Sequence, residues 1–205
     1  MEKQVEILDR SFYANETLEV AKNLLGKIVI HETKTSLVSG YIVETEAYNG
    51  VNDPACHSFN HRKTKKNEMM YSIGGTAYVY QIYGIHYCFN VVTKTENDPE
   101  AVLIRAIKPI QGIEAMVERR KIHIHQTKDF IKLSNGPGKL CQAMGINKTH
   151  NGADLCAGSL CVAQSDLVEN FEIHQTSRVN VDYAGEAKNY PWRFYIKNNP
   201  FISKI

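Results

Sequence analysis

The chain has 205 residues and a mass of 23.2 kDa, and 43% of its residues are hydrophobic, which is enough to close one sizeable core but hardly two. We therefore expect a single domain over residues 1–205. Because 24 Lys and Arg residues stand against 22 Asp and Glu residues, the net charge of +2 neither indicates nor excludes a polyanionic partner.

The five cysteines show no Cys-x-x-Cys spacing, so we expect reduced, mostly buried thiols of a cytosolic protein. A zinc site made from Cys56, His57 and His61 would match no standard ligand spacing, and we expect neither a metal nor another cofactor. The first residues show no basic segment followed by an apolar run, and no stretch approaches about 18 consecutive apolar residues. These features predict a cytoplasmic protein, associated with the nucleoid if it is bacterial, without a membrane partner.

The first elements form a helix and two strands. Asn15 is a candidate N-cap for a helix over residues 15–25, and Gly26 lies just beyond its end. A short strand is predicted at residues 27–31, and a central strand at residues 37–48.

Residues 49–70 are rich in Asn, Asp, Pro, His and Lys and show no period, so we predict a long functional loop. A β-hairpin is predicted next, with strands at residues 76–82 and 86–93 and its tip at Tyr83 and Gly84.

The second half of the chain mixes strands and helices. Residues 101–107 form an apolar strand that carries Arg105, and a helix is predicted at residues 111–120. Pro137 and Gly145 bracket a second helix over residues 138–144. Weaker strands are predicted at residues 159–163, 171–176 and 193–197. Because the elements lack a regular βαβ order, we predict an α+β fold with a largely antiparallel sheet.

Two carboxylates interrupt the central strand. Glu44, Glu46 and Tyr48 share one face of a regular strand, with neighbours roughly 7 Å apart. This spacing suits inverting hydrolysis of a glycosidic bond, in which the two carboxyl groups stand about 6.5–9.5 Å apart. The spacing equally fits two solvated glutamates on the outer face of a half-buried strand.

The sequence resembles the alkyladenine (3-methyladenine) DNA glycosylase family. Six blocks in register carry the resemblance: residues 42–48, 55–57, 78–84 with Asn90, 103–105, 136–143 and 191–195. It implies a curved antiparallel sheet with surrounding helices and a protruding hairpin. The implied activity is base-excision repair on double-stranded DNA, in which a damaged purine is flipped out and hydrolytically removed to leave an abasic site. Candidate substrates are 3-methyladenine, hypoxanthine and etheno-adenine.

The resemblance assigns catalytic roles that spacing cannot. It makes Glu46 the general base and Glu44 a structural residue, and it assigns Arg105 and the main-chain carbonyl of Val179 to holding the attacking water. Arg105 could instead form a buried ion pair with Glu44 or Glu46, which is compatible with catalysis. No lysine falls in the matched catalytic block, so a monofunctional enzyme without lyase activity is expected.

The resemblance also implies a base pocket in which Tyr48, His57 and Tyr80 sandwich the flipped base. Asn90 would obstruct the 2-amino group of guanine, although a strand-end cap is an equally good interpretation of this residue. Such a pocket would bind alkylated purines through stacking and cation–π attraction.

Contacts to the duplex follow from the same resemblance. Tyr83 is the expected wedge in the minor groove, and Met70 matches a second residue near that wedge. Phosphate contacts are expected from Arg62, Thr64 and Lys65. Asn180 stands where vertebrate members typically have glycine.

Two other functions remain open at this point. A catalytically silent sensor of alkylated DNA would share the aromatic and basic residues but would have no use for Glu46. A nucleoside hydrolase would need neither a wedge nor a basic loop. We expect a monomer in each case.

Overall fold

One long strand organises the fold of this protein. The computed structural model describes residues 5–165 and 171–204, and strand β2 (Leu37–Tyr48) lies in the middle of its sheet. Strand β5 (Glu100–Gln111) pairs with β2 along one edge. The other edge is shared, because β1 (Ile28–Glu32) pairs with the first half of β2 and β8 (Arg193–Ile196) pairs with Glu44–Glu46.

The remaining strands extend this sheet in both directions. They are β3 (Ala77–Ile82), β4 (His86–Thr93), β6 (Leu160–Ala163) and β7 (Ile173–Thr176). The order is β3-β4-β5-β2-β1-β6, with β7 joined to β8, and every pairing between these strands is antiparallel. The sheet curls into a half-barrel. The predicted α+β fold with a curved antiparallel sheet is confirmed.

The helices are short. They are α1 (Arg10–Tyr13), α2 (Thr17–Asn23), α3 (Ile113–Arg120), α4 (Thr127–Ile131) and α5 (Pro137–Met144), with 3-10 turns at Gly50–Asn52, Phe59–His61, Glu68–Tyr71, Lys148–His150 and Asp182–Asn189. Pro137 opens α5, and Gly145 ends it at a φ of 72° as predicted. None of the helices in the described ranges is long and apolar enough to cross a membrane.

The predicted N-cap at Asn15 is wrong. Glu16 precedes α2 without a side-chain cap, whereas the Asn15 amide donates hydrogen bonds to the carbonyls of Ser11 and Phe12 at 2.7 and 3.3 Å. Asn15 therefore closes α1, a four-residue helix too short to show a hydrophobic period.

The main core lies between one face of the sheet and the helices. Ile42, Phe89 and Ile104 from the sheet are buried with Met116 of α3 and Leu140 of α5. On β2, the Thr45 hydroxyl donates to the carbonyl of Ala21 in α2 at 2.8 Å, so Thr45 points to the helix side. Because side chains alternate along a strand, Glu44 and Glu46 point to the opposite face.

The hairpin β3–β4 ends in an apolar tip. Its loop is Tyr83–Ile85, between strands that end and begin at the predicted residues, and Tyr83 and Ile85 are 83% and 73% exposed. Tyr83 has a φ of 50°, in the left-handed region that disfavours bulky side chains. The hairpin tip therefore carries two large apolar side chains that other described residues leave exposed.

Candidate active site

A buried charge cluster lies on the face of β2 away from the helices. Glu44 and Glu46 are both 0% exposed, so the interpretation of them as solvated strand residues is wrong. The register of β2 and β5 shifts between Glu44 and Thr45, where Arg105 has no partner in register. The bulge brings the Arg105 guanidinium between the carboxylates, with Nε 3.1 Å from Glu44 Oε1 and Nη1 3.1 Å from Glu46 Oε2. The predicted ion pair is confirmed, and it joins both glutamates.

Glu44 is fully engaged in structural contacts. Its Oε1 accepts from Arg105, from Nε of Arg193 at 2.7 Å and from Oγ of Ser203 at 2.9 Å, and its Oε2 accepts from the backbone N–H of Ser203 at 2.5 Å. Three donors therefore meet at Oε1 and one at Oε2. Glu44 thus ties β2 to β5, to β8 and to the last described residues of the chain.

Glu46 accepts hydrogen bonds of a different kind. Besides Arg105, its partners are the hydroxyl of Tyr48 at 2.9 Å and the backbone N–H of Val179 at 2.7 Å. Burial, followed by the charge of Glu46, raises the pKa of Tyr48 well above its usual value, so its hydroxyl stays protonated and donates. Glu46 borders the aromatic cavity through Tyr48, which Glu44 does not contact.

The structure places Val179 next to Glu46, because its backbone N–H donates to that carboxylate. Sequence resemblance assigns the carbonyl of Val179 to the water, and that role stays a prediction. The next residue, Asn180, has a φ of 61°. This left-handed position suits glycine or asparagine, which explains why Asn180 can stand where vertebrate members have glycine.

The neighbouring carboxylates keep Arg105 protonated. Burial by itself lowers the pKa of Arg105, but the carboxylates of Glu46 and Glu44 outweigh burial and raise the pKa above its usual value. A permanent cation therefore lies between the two acids.

An aromatic cavity opens beside this cluster, which it meets at Tyr48. Its lining includes three of the residues predicted to hold the base, Tyr48, His57 and Tyr80, together with Asn90. The structure brings these four residues together from β2, β3, β4 and the loop over residues 49–70.

The wall formed by His57 and the tyrosines is held by a side-chain hydrogen bond. His57 Nδ1 lies 2.8 Å from the hydroxyl of Tyr78, and the rings of His57 and Tyr80 meet edge-on with centroids 4.7 Å apart. Burial, followed by the charges of Lys66 and Arg62, lowers the pKa of His57. The imidazole is therefore neutral at pH 7.

Asn90 lies inside β4, where it is paired with Tyr78 and with Leu103 of β5. Its amide donates to the carbonyl of Tyr78 at 3.0 Å, and the residue is 3% exposed. The strand-end cap is thus the wrong interpretation, and Asn90 is a fixed polar group in the cavity wall.

The structure corrects the prediction for Met70. This residue is 2% exposed, packs with Cys56, Tyr78 and Val92 and forms part of the cavity lining, so it cannot reach a duplex from this position. Ile85, which was not predicted, is the second exposed apolar residue at the hairpin tip.

A polar cleft adjoins the cavity on the side of the predicted phosphate contacts. Arg62, Thr64 and Lys65 are exposed, and Arg62 and Thr64 line a cleft of about 1110 Å³ that shares His57 with the cavity. The buried Asn67, missed from the sequence, organises this loop. Its Oδ1 accepts from the N–H and hydroxyl of Thr64, and its Nδ2 donates to the carbonyls of His57 and Arg62.

Two further groups were not predicted. Arg178 and Asp53 form a buried ion pair, and Tyr183, 70% exposed, lines both the cavity and the cleft while donating to the carbonyl of Ala55 at 3.1 Å. Arg178 and Asp53 are 125 positions apart, and no local pattern joins them. Elsewhere in residues 5–165 and 171–204, no three His, Cys, Asp or Glu side chains are placed to hold a metal ion.

Comparison with known proteins agrees with this arrangement. The family described as methylpurine-DNA glycosylase matches residues 11–200. Relatives from Alkaliphilus oremlandii and Clostridium acetobutylicum are 49% and 50% identical, over 96% and 97% of this chain and 98% of their own length. A relative from Desulfitobacterium hafniense is 48% identical over 96% of this chain and 98% of its own. All three carry the name "Putative 3-methyladenine DNA glycosylase". The chain therefore belongs to the methylpurine-DNA glycosylase family.

Proposed function

We propose that this protein is a monofunctional DNA glycosylase that hydrolyses the bond between deoxyribose and 3-methyladenine in duplex DNA, and that it also accepts hypoxanthine and etheno-adenine. The observation that carries the proposal is the position of Glu46. It is a fully buried carboxylate that accepts from Tyr48, a residue of the cavity wall, and is held further by Arg105 and Val179.

In the proposed reaction Glu46 acts on water. The water oxygen bonds to C1′ as the glycosidic bond breaks, the bonding electrons leave with the base, and the proton of the water passes to the Glu46 carboxylate. Positive charge that develops on the sugar is stabilised by the same carboxylate. An alkylated purine already carries a positive charge and leaves as a neutral base without a second acid, whereas neutral hypoxanthine or etheno-adenine takes a proton from solvent water as it leaves.

The two glutamates divide their roles by their partners. Glu44 accepts hydrogen bonds from Arg105, Arg193 and Ser203, and none of these three residues lines the aromatic cavity. Glu46 has three partners and lies next to Tyr48, a residue of the cavity wall. None of the three is a lysine, which supports hydrolysis without a Schiff base on the sugar.

The cavity wall supports recognition of the base. Tyr48, His57 and Tyr80 present aromatic faces, and each stacked ring contributes about 1–3 kcal/mol to a bound base. A cationic base gains about 0.5–2 kcal/mol more from cation–π attraction. Because Asn90 is fixed by its bond to the carbonyl of Tyr78, a base with an additional amino group would have to displace it.

Contact with a duplex is supported by the hairpin and the basic loop. Tyr83 and Ile85 project from the hairpin tip, and apolar side chains of this kind separate stacked base pairs. Arg62 and Lys65 are exposed on the loop beside the cleft, where they can neutralise phosphates. We propose that the protein acts on the duplex as a monomer.

The test compares wild type with Glu46→Gln in single-turnover release of 3-methyladenine from methylated duplex DNA. The variant should bind the lesion while its rate falls by about 10²–10⁴, the usual range for general acid–base catalysis. Glu68→Gln, at an exposed acid of the basic loop, is the matched control and should keep the wild-type rate.

Two results would contradict the proposal. A wild-type protein that binds the lesion but never releases the base would be a damage sensor. A wild-type protein that hydrolyses free nucleosides at a rate insensitive to salt would be a nucleoside hydrolase, because duplex binding through phosphates weakens steeply with salt.

A further inference from the structure

The buried pair of Arg178 and Asp53 lies directly behind the cavity wall. Both side chains are 0% exposed, and two parallel bonds join them, from Nη1 to Oδ2 at 2.5 Å and from Nη2 to Oδ1 at 2.8 Å. Nη1 also donates to the carbonyl of Ala47 at 3.0 Å. Arg178 is therefore attached both to the loop after β2 and to the backbone of β2 itself.

The guanidinium of Arg178 is also held between two rings. Its central carbon is 4.9 Å from the ring centroid of Tyr48 and 5.0 Å from that of Trp192. Tyr48 lines the aromatic cavity and Arg178 does not, so Arg178 supports the Tyr48 ring from outside the cavity. With its hydroxyl bound to Glu46, Tyr48 is fixed at both its ring and its polar end.

Arg178 and Asp53 each connect to a residue of the active site through the backbone. Arg178 precedes Val179, whose N–H donates to Glu46 at 2.7 Å. Asp53 accepts from the backbone N–H groups of Asn49 and Ala55 at 3.1 and 3.0 Å, which shapes the loop that leads from Tyr48 to His57. The pair thus joins the two chain segments that flank the cavity.

We propose that Arg178, held by Asp53, is a positioning residue for catalysis: it sets the Tyr48 ring and the Val179 N–H against Glu46. The inference rests on the proposed glycosylase function and adds to it a residue that touches neither base nor water. Both Tyr48 and Val179 donate to the same carboxylate, so a shift of Arg178 changes two of the three hydrogen bonds that aim Glu46.

A role in stability alone explains the pair less well. Buried ion pairs are weak evidence for stability, because the loss of hydration offsets much of the attraction. Moreover, Nε of Arg178 is buried without a hydrogen-bond partner among the described residues, a cost that a pair built for stability would avoid. The planar guanidinium of Arg178 also matters for the design of a test. A lysine would keep the charge but could neither form two parallel hydrogen bonds with Asp53 nor place a planar group over the Tyr48 ring.

The test uses Arg178→Lys in the full chain. Three quantities are measured at 25 °C: single-turnover release of 3-methyladenine, binding to a duplex that contains a non-cleavable abasic-site analogue, and the melting temperature. The release rate should fall by roughly 10–100-fold, because a displacement of about 1 Å costs up to about 10²-fold in rate. Binding should change by less than about threefold, since the wedge and the basic loop are intact.

A comparison of duplex and single-stranded substrates distinguishes this role from that of the hairpin tip. A misaligned Glu46 acts after the base has entered the cavity, so the rate should fall equally for a duplex lesion and for the same lesion in a single strand. Leu140→Ala, a cavity variant in α5 on the helix side of the sheet, is the control for lost stability. It should lower the melting temperature without changing the rate of the folded protein.

Asp53→Asn keeps the size of the side chain and should show the same loss of release rate. If Arg178→Lys does not fold, Asp53→Asn is the variant that tests the positioning role. A folded Arg178→Lys or Asp53→Asn with the wild-type rate would overturn the inference, as would a loss of rate that Leu140→Ala reproduces at the same melting temperature. An inactive wild-type protein would instead overturn the proposed glycosylase function.

Discussion

Substitution of Tyr83 by asparagine should separate stability from function in this protein. Tyr83 holds a φ of 50° at the hairpin tip and is 83% exposed, so its conformation is strained and its ring contributes little to the core. Asparagine tolerates the left-handed region better than tyrosine, and its side chain is too small to fill a gap in stacked bases. We therefore expect Tyr83→Asn to stabilise the fold while it weakens action on duplex DNA.

The two magnitudes follow from separate parts of the structure. The left-handed conformation costs an ordinary residue about 1–2 kcal/mol, and relief of about half of this cost would raise the melting temperature by roughly 1–4 °C. Flipping a base costs a few kcal/mol, and loss of a wedge that offsets about 1.4–2.7 kcal/mol of this cost would slow excision from a duplex by about 10–100-fold.

The assay compares excision of one lesion from a duplex and from a single strand, with calorimetry on the same samples. The wedge is needed only where bases are stacked, so the single-stranded rate should fall much less than the duplex rate. Equal losses on both substrates would refute the role of Tyr83 as a wedge. Unchanged rates on both would make it an ordinary turn residue, with Ile85 as the remaining apolar side chain at the tip.

The other predictions concern Glu44 and His57. Glu44→Gln removes the buried negative charge that pairs with Arg105 and Arg193, which should lower the free energy of unfolding by about 3–5 kcal/mol and the melting temperature by roughly 6–20 °C. The excision rate at 25 °C should stay within about tenfold of wild type. A stable but inactive variant would show that the roles of the two glutamates are reversed. Because the pKa of His57 is lowered, the ring is neutral at pH 7 and gains its proton only below the usual value of about 6.5. Acid should therefore slow excision of a cationic alkylpurine more than that of neutral hypoxanthine, and His57→Gln should remove this difference; parallel acid profiles for both bases in wild type would contradict it.

Most of the fold could be predicted because its signals are local. The central strand Leu37–Tyr48 has the predicted bounds, and the Pro137 and Gly145 signals place α5 correctly. The hairpin strands fall within one residue of prediction. The sequence could not show that α1 exists, since four residues give no period, or that Asn15 would cap its end.

The site was harder to predict where it depends on burial and on distant partners. Family resemblance brings Glu46, Arg105, Tyr48, His57 and Tyr80 into one site, and the structure places them together. Resemblance could not tell that Met70 is buried in the cavity lining, because exposure depends on how the loop over residues 49–70 packs. Nor could it find Arg178, whose partners are 125 and 131 positions away along the chain.

The contacts of Glu44 also determine when this fold can be completed during synthesis. Its partners Arg105, Arg193 and Ser203 lie 61, 149 and 159 positions further along the chain. Contacts of such long range form late, and a ribosome delivers residue 203 last among them. A nascent chain can build the core around α2 and β2 early, but its central carboxylate has all its partners only after nearly all of this sequence has emerged. Incomplete chains would therefore lack the contacts that tie β2 to β8 and to Ser203, so a fragment released by premature termination is expected to melt at a lower temperature than the full chain.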